Sequence, residues 1–230
     1  MIYLIPSFLA DDAIETIPVY VMTAVKNCQV IFAENERTAR RFLKRMNKDI
    51  VIDDFEWYPI HKVEAEQISC FRRKITEGKN IAIISEAGCP GIADPGQLLV
   101  AEAQQMNETV KPLVGPSSIL LALMASGLNG QHFSFVGYLP IDIADRLKKI
   151  KQLEEESSKT KCTQIFIETP YRNNQMLEAI LKTCKPSTQL CIAAELTSKN
   201  EFVKTKTVGQ WKNEKVDLHK KPVIFLLQAL

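Results

Sequence analysis

The segment "ISEAGCPGIADPG", Ile84–Gly96, follows the apolar run "NIAII" and holds three glycines and two prolines. Glycine lets the backbone approach a ligand closely because it has no Cβ, and proline fixes the backbone dihedral φ. In α/β proteins, ligand crevices form at the carboxyl ends of parallel strands. The segment therefore predicts either a cradle of backbone N–H and C=O groups for a ligand, or a tight strand-to-helix connection with Asp94 as a cap.

Composition and charge describe an ordinary folded protein. The chain has 230 residues, 46% of them hydrophobic and 24% charged, which suffices for one large domain or two smaller ones. The formal net charge of +2 is too small to demand a polyanionic partner, although a local basic patch is compatible with it.

The cysteine, histidine and hydropathy patterns argue against metal, disulfide and membrane chemistry. The six cysteines form no C-x-x-C pair and the three histidines lie far apart, so we expect no metal and free thiols in a reducing compartment. The start "MIYLIPSFLADD" lacks the features of a signal peptide, and no apolar run reaches the roughly 20 residues that span a bilayer. We expect a soluble, cytoplasmic protein without a membrane partner.

Predicted strands alternate with predicted helices along the chain. The strands of the first half are "IYLIP", "VIFAEN", "NIAIIS" and "VKPLVG", and those of the second half are "TQIFIET", "QLCIAAEL" and "PVIFLLQ", with a hairpin through "EFVKTKTVGQW". This alternation predicts the α/β class with largely parallel sheets. We expect two α/β domains, residues 1–112 and residues 113–230.

A second motif, "LVGPSSILLALMASGL", spans Leu113–Leu128. A strand leads into Gly115 and Pro116, and Ser117 and Ser118 then open a helix whose free N–H groups are able to bind ligand acceptors. A plain helix cap by either serine is the alternative. The chain has neither G-x-x-x-x-G-K-[ST] nor G-x-G-x-x-G, which disfavours the usual nucleoside triphosphate and NAD sites.

Three blocks, "SEAGCPGIADPG", "GPSSILLALMASGL" and "FSFVGYLP", resemble in order and spacing those of the tetrapyrrole methylase superfamily. The branch most similar is the ribosomal RNA small-subunit cytidine 2′-O-methyltransferase I type, and "AENER", "IFIETPYR" and "AAEL" agree with it. The resemblance implies two α/β domains with S-adenosylmethionine in a cleft between them, usually in a homodimer. The cofactor-binding positions that it implies are Ala87, Gly88, Cys89, Pro90, Ile92, Asp94, Ser117, Ser118, Ile167, Glu168, Leu196, Pro222 and Val223.

Two carboxylates are candidates for the catalytic base that a hydroxyl acceptor needs. Glu34 follows the apolar strand "QVIFA" and matches the acidic block of the family, so it is the first candidate. Glu168, also at a strand end, is the second. Ion pairing or capping is the alternative for both side chains.

Substrate contacts are predicted from one helix and one aromatic residue. Arg37, Arg41 and Lys44 lie along one side of the helix "ERTARRFLKRMN" and are able to hold RNA phosphates, unless they form only a solvated face. Tyr138 is able to stack on a base, or else is a half-buried cleft residue.

Departures from the family leave the acceptor open. The Gly-Asn-Leu turn after the first strand is absent, and "IHKVEAEQ" keeps only Glu64 of the His-Asn-Glu block. From the resemblance we nevertheless expect an S-adenosylmethionine-dependent methyltransferase acting on RNA, specifically at a ribosomal cytidine 2′-hydroxyl. The alternatives are a small-molecule methyltransferase for a tetrapyrrole or corrin-like ring, and a catalytically inactive S-adenosylmethionine-binding regulatory protein.

Overall fold

The computed structural model describes residues 1–60 and 65–229, so Glu64 lies outside the described residues. Two units are distinguished within the chain, Met1–Ser117 and Ser118–Leu230, and each has its own sheet. The predicted boundary between residues 112 and 113, and the predicted cofactor cleft, stay predictions. Among the described residues, no helix combines the length and the apolar character that a membrane span requires.

The first unit is built on a parallel sheet with the strand order β3-β2-β4-β1-β5. Its strands are β1 (Ile2–Ile5), β2 (Val30–Ala33), β3 (Glu56–Pro59), β4 (Ile81–Ile84) and β5 (Val110–Pro112). Its α-helices are α1 (Tyr20–Lys26), α2 (Glu36–Met46), α3 (Ala65–Thr76) and α4 (Gln97–Gln105). Short 3-10 turns occupy Ile14–Thr16 and Ile52–Asp54.

The strands β2 and β4 are apolar throughout because both faces of the sheet are covered. Every residue of "VIFA" and "IAII" is buried. On one face Ile31 and Ala82 pack with residues of α1 and α2, and on the other Phe32 and Ile83 pack with residues of α3 and α4. The continuous apolar run of β4 thus has the cause expected from the sequence.

The second unit carries a mixed sheet with the strand order β6-β7-β10-β8-β9. Its strands are β6 (Phe133–Tyr138), β7 (Thr163–Ile167), β8 (Gln189–Ala194), β9 (Phe202–Thr207) and β10 (Val223–Gln228). Its helices are α5 (Ser118–Ser126), α6 (Ile143–Thr160), α7 (Asn173–Thr183) and α8 (Val208–Trp211). Helices α6, α7 and α8 cover one face of this sheet, while α5 packs on β8, β9 and β10.

The prediction of largely parallel strands is wrong for the second unit. Among its described residues only β6 and β7 pair in parallel, whereas β10 runs antiparallel to both β7 and β8, and β8 runs antiparallel to β9. The connection over residues 195–201 is too short for a helical crossover, so the chain returns as a hairpin.

The predicted hairpin is right in one strand and wrong in the other. The segment "FVKTKT" pairs with the preceding β8, and "VGQW" forms α8 instead of a strand. A capping box begins that helix: Gln210 N donates to Thr207 Oγ1 at 3.2 Å, and Thr207 N donates to Gln210 Oε1 at 2.9 Å. Local capping therefore decides the secondary structure at this point.

We expect Gly115→Ala to destabilise the first unit strongly. A Cβ at this position would lie 2.1 Å from Cβ of Pro6 and 2.5 Å from its Cγ, so the connections after β1 and β5 would have to separate. Overpacking of this kind lowers the free energy of unfolding by about 2 kcal/mol or more. Urea unfolding measures the change, with Gly130→Ala as the control because a Cβ there meets no atom within 4 Å. Equal effects of the two substitutions would contradict this account.

Candidate active site

The carboxyl ends of β1, β2 and β4 bring three connecting segments of the first unit to one edge of its sheet. Ser7 follows β1, Glu34 follows β2, and the Gly/Pro loop (residues 85–96) follows β4. Ser7 N donates to Gly88 O at 2.8 Å, Gly88 N donates to Ser7 O at 3.1 Å, and Ser7 Oγ donates to Ser85 O at 2.9 Å. These bonds fasten the start of the loop to the end of β1.

The Gly/Pro loop is folded back on itself by backbone hydrogen bonds. Gly91 N donates to Pro95 O at 3.3 Å, and Ile92 N donates to Cys89 O at 3.2 Å. Gly96 has a φ of 119°, a backbone conformation that residues with a side chain rarely adopt. A Cβ there would lie 3.2 Å from Cγ2 of Ile83. The turn leaves the apolar side chain of Ile92 53% exposed.

Three carboxylates gather at this edge. Oε2 of Glu34 accepts a hydrogen bond from Glu86 N at 3.0 Å, and Thr38 Oγ1 donates to Oε1 of Glu86 at 3.3 Å. Burial raises the pKa of Glu34, and the charge of Glu86 adds to the rise while the Glu86 N–H opposes it. Burial, followed by the charges of Glu34 and Glu86, raises the pKa of Asp94 to about 7. The edge thus favours a cation and holds a carboxyl group that titrates near neutrality.

Glu34 owes its position to the start of α2. The strand β2 ends at Ala33, and Glu34 N donates to Ile84 O at 3.1 Å, which extends the sheet pairing by one residue. Asn35 then caps the helix, since its side chain accepts from Thr38 N at 3.2 Å. A side chain placed between a strand and a cap in this way is half-buried and well anchored.

Cys89 is a poor nucleophile. It is half-buried, and burial, followed by the charge of Asp94, raises the pKa of its thiol. Its Sγ lies 3.5 Å from Pro116 O, to which the thiol donates. A neutral thiol of this kind does not support covalent catalysis, because the thiolate is the reactive form.

The other predicted cofactor positions of the first unit lie in the Gly/Pro loop and after β5. Ala87 is exposed and Pro90 is buried. Ser117 is half-buried and precedes α5, which begins at Ser118 in the second unit, one residue later than expected.

In the second unit, the predicted positions gather at one end of the sheet. Ile167 ends β7 and pairs with Ile224, the second residue of β10, and Val223 pairs with Ala194 at the end of β8. Glu195 N donates to Pro222 O at 2.9 Å, which keeps Leu196 close to the start of β10. Leu196 and Val223 are buried, and Pro222 is exposed.

Glu168 lies in an ion pair directly after β7. Its Oε1 accepts from Thr169 N at 2.7 Å and from Nε and Nη2 of Arg172 at 3.1 Å and 2.6 Å. The residue is 4% exposed. A buried carboxylate with its charge balanced by arginine suits an anchor of the backbone better than a general base.

The basic helix α2 separates into paired and exposed cations. Arg40 binds Glu36 at 2.6 Å and lies over the Trp57 ring, and Arg45 binds Asp11 at 3.0 Å. The predicted phosphate-binding residues Arg37, Arg41 and Lys44 are exposed, and in the part of the chain that the structure describes no carboxylate pairs with them. Lys44 donates to Lys48 O at 3.1 Å. Tyr138 is 61% exposed at the end of β6.

The sequence missed several residues of these sites. Glu86 lies within the segment Ile84–Gly96 but was not among the predicted site residues, and Ser7 was not singled out at all. Arg172 belongs to the quoted block "IFIETPYR", so its nearness to Glu168 was a usable signal. Arg146 reaches Glu168 from α6, and no local pattern connects the two residues.

A known protein family matches most of the chain. Residues 12–212 match the profile of the family described as Tetrapyrrole (Corrin/Porphyrin) Methylases. The chain belongs to the tetrapyrrole methylase family. The resemblance inferred from the motifs is thereby confirmed.

Relatives of this tetrapyrrole methylase include "Ribosomal RNA small subunit methyltransferase I" from Buchnera aphidicola subsp. Schizaphis graminum. The two are 30% identical over 99% of this chain and 77% of that protein. The chain covers between 43% and 79% of the length of curated relatives with this name.

Solved structures with the same fold include the methyltransferase CobJ. The TM-score is 0.63 at 14% identity, over 94% of this chain and 89% of CobJ. The uroporphyrin-III C-methyl transferase from Thermus thermophilus, complexed with S-adenyl homocysteine, has a TM-score of 0.56 at 15% identity, over 99% and 96% of the two chains. The expected α/β fold of the tetrapyrrole methylase type is confirmed.

We expect Asp94→Asn to stabilise the protein progressively as pH rises from about 4 to about 7, and fully above that range. Because the folded-state pKa is raised, the native state binds more protons than the unfolded state between about pH 4 and pH 7, and the free energy of unfolding falls as pH rises through this window. The amide removes this loss, so the variant should gain about 1 kcal/mol at pH 8, after allowance for solvent screening, and nothing near pH 4. Urea unfolding at several pH values measures the difference. The exposed Asp49→Asn is the control, and a gain that is independent of pH would refute the assignment.

Proposed function

We propose that this tetrapyrrole methylase transfers the methyl group of S-adenosylmethionine to small-subunit ribosomal RNA, at a cytidine 2′-hydroxyl. The observation that carries the proposal is Glu34, a half-buried carboxylate with a raised pKa beside the Gly/Pro loop. Membership of a methylase family makes the chain a methyltransferase with S-adenosylmethionine as donor. The 30% identity to a relative named for ribosomal RNA supports RNA as the acceptor.

The edge of the first sheet fits the donor electrostatically. S-Adenosylmethionine carries a positive sulfonium and a net positive charge. Glu86 and Asp94 within the loop, and Glu34 beside it, place carboxylates at this edge. The exposed side chain of Ile92 offers an apolar contact. When bound, the cofactor supplies an activated methyl group on a good leaving group.

Several residues of the first unit would hold the cofactor. We assign contacts to Ala87, Gly88, Cys89, Pro90, Ile92 and Asp94 of the Gly/Pro loop, and to Ser117. In the second unit we assign Ser118, Ile167, Glu168, Leu196, Pro222 and Val223. The pairing of β7, β8 and β10 brings five of these six residues, all except Ser118, to one end of their sheet, which supports the assignment.

Glu34 is proposed to take the proton of the acceptor hydroxyl. A ribose hydroxyl is a weak nucleophile until its proton is removed, and a carboxylate whose pKa is raised toward neutrality is a stronger base than an ordinary one. The Glu86 N–H holds one carboxylate oxygen, which fixes the orientation of the side chain. Methyl transfer then depends mainly on alignment of the acceptor with the methyl carbon. Glu168, the second candidate, is neutralised by Arg172 and is assigned to the cofactor instead.

The exposed cations of α2 are proposed to bind RNA phosphates. Arg37, Arg41 and Lys44 lie along one exposed side, while the neighbouring Arg40 and Arg45 are committed to carboxylates. Tyr138, exposed at the end of β6, is assigned to an unstacked base. A tetrapyrrole or corrin-like acceptor is supported by the family description and by fold likeness at 14–15% identity, whereas the relatives at about 30% identity are named for ribosomal RNA. The homodimer and the cytoplasmic location stay predictions.

Glu34→Gln should abolish methyl transfer while the cofactor still binds. Loss of a general base lowers kcat/KM by about 10²- to 10⁴-fold, and the amide keeps the size of the side chain. A methyl-transfer assay on small-subunit RNA from cells that lack this protein measures activity, and calorimetry with S-adenosylhomocysteine measures binding. Glu15→Gln, an exposed carboxylate of the same unit, should behave as wild type. Full activity of Glu34→Gln would exclude Glu34 as the base, and inactivity of wild type on RNA would refute the acceptor.

Arg41→Gln should lower the affinity for RNA and make that affinity less dependent on salt concentration. A lost phosphate contact reduces the slope of log K against log salt concentration by about 0.7–0.9. Salt-titrated fluorescence anisotropy with a small-subunit RNA fragment measures both quantities. Lys151→Gln, which removes an exposed cation of α6, provides the matched control. An unchanged slope for Arg41→Gln would show that this side of α2 is only a solvated face.

A further inference from the structure

Arg146 is a buried cation with few hydrogen bonds to offset the loss of its hydration. It lies in the first turn of α6 and is 4% exposed. Its Nη2 reaches Ile141 O only at 3.5 Å, and its Nε and Nη1 have no hydrogen-bond partner among the described residues. A guanidinium has five N–H donors, and donors that are buried without partners are costly. The hydrogen bonds of the guanidinium therefore do not explain why this arginine is buried here.

The nearest carboxylate is Glu168, and its two oxygens are used unequally. Oε1 accepts three hydrogen bonds, from Thr169 N and from two nitrogens of Arg172. Oε2 is buried, has no partner among the described residues, and lies 4.0 Å from Nη1 of Arg146. That distance exceeds a direct hydrogen bond but permits a bridging water or a small movement. Arg146 thus supports the oxygen that Arg172 leaves free.

Stability alone does not account for this arrangement. A buried ion pair with long contacts seldom compensates its own desolvation. Replacement of a whole buried pair by apolar side chains is often neutral or stabilising, whereas removal of one partner destabilises when it leaves the other charge unpaired. Buried apolar residues of the second unit, among them Leu139 and Ile150, lie close by in the sequence. Because Arg172 still pairs with Glu168 when methionine replaces Arg146, we expect at most a small loss of stability.

The carboxylate of Glu168 is coupled to the backbone at the end of β7. Its Oε1 accepts from Thr169 N at 2.7 Å, so rotation of the carboxylate would release the peptide that joins Glu168 and Thr169. Arg172 alone is a weaker restraint, because its side chain is 30% exposed. A second cation on the buried side keeps the carboxylate, and with it this peptide, in one orientation.

We propose that Arg146 is a positioning residue, which holds the carboxylate of Glu168 and thereby the backbone of residues 167–169 in the conformation that binds S-adenosylmethionine. The proposal rests on the proposed function, in which Ile167 and Glu168 contact the cofactor. Arg146 itself is assigned no contact with the cofactor or the acceptor. Its effect is transmitted through Glu168 alone.

The test combines cofactor affinity with stability. Calorimetry with S-adenosylhomocysteine gives Kd, and thermal unfolding gives Tm, for the wild type and for Arg146→Met, Arg146→Lys, Glu168→Gln and the Met/Gln double variant. We expect Arg146→Met to raise Kd about tenfold with at most a small change in Tm. Arg146→Lys, which keeps a donor and the charge, should restore part of the affinity. When Glu168 is already replaced by glutamine, Arg146→Met should cause at most a third of the affinity loss that it causes in the wild type. The reason is that Arg146 acts on the cofactor through Glu168.

Glu154→Gln is the matched control on the same helix. Glu154 is buried and accepts from Lys185 N and from Thr188 Oγ1, which is a structural role. This variant should lower Tm and leave Kd unchanged. Equal affinity of wild type and Arg146→Met, additive losses in the double variant, or a Kd that rises equally in Glu154→Gln would each overturn the positioning role. No binding of S-adenosylhomocysteine to wild type would instead refute the proposed function.

Discussion

The paired hydrogen bonds between Ser7 and Gly88 are the constraint on which the proposed site of the first unit depends. Parallel strands deliver their connecting segments to one edge, but delivery alone leaves a loop free to move. The Ser7–Gly88 bonds, together with the bond from Ser7 Oγ to Ser85 O, join the Gly/Pro loop to the neighbouring strand end. A surface made of main chain is useful for recognition only when it is held in this way, since ordering it during binding would cost conformational entropy.

The two units place charge at their strand ends in opposite ways. In the first unit, burial and then the charges of Glu34 and Glu86 raise the pKa of Asp94, and the group of three carboxylates favours a cationic ligand. In the second unit Glu168 is enclosed by Arg146 and Arg172, so its negative charge is balanced. The first arrangement suits chemistry on a sulfonium and a hydroxyl, and the second suits the rigid support of backbone. Carboxylates at equivalent places in a strand therefore take different roles because their neighbours differ.

The predictions from sequence succeeded where the signal was local. The runs "IAII" and "VIFLLQ" are strands because apolar residues covered on both faces leave a continuous pattern. The strands β3 and β6 were not expected, since they lie at sheet edges and their partly exposed residues do not form an apolar run. The parallel arrangement was wrongly extended to the second unit, because strand direction depends on partners that lie far away in the sequence.

The sequence by itself determined the family, the glycine and proline loop, and the candidate carboxylates at strand ends, because each of these is written in contiguous residues. Only the tertiary structure decided which charges are balanced. It joined Arg146 to Glu168 across α6 and β7, paired Arg40 and Arg45 with carboxylates, and left Arg37 and Arg41 exposed. The physical reason is that electrostatic interaction and desolvation depend on distance and burial in space, which the order of residues does not specify.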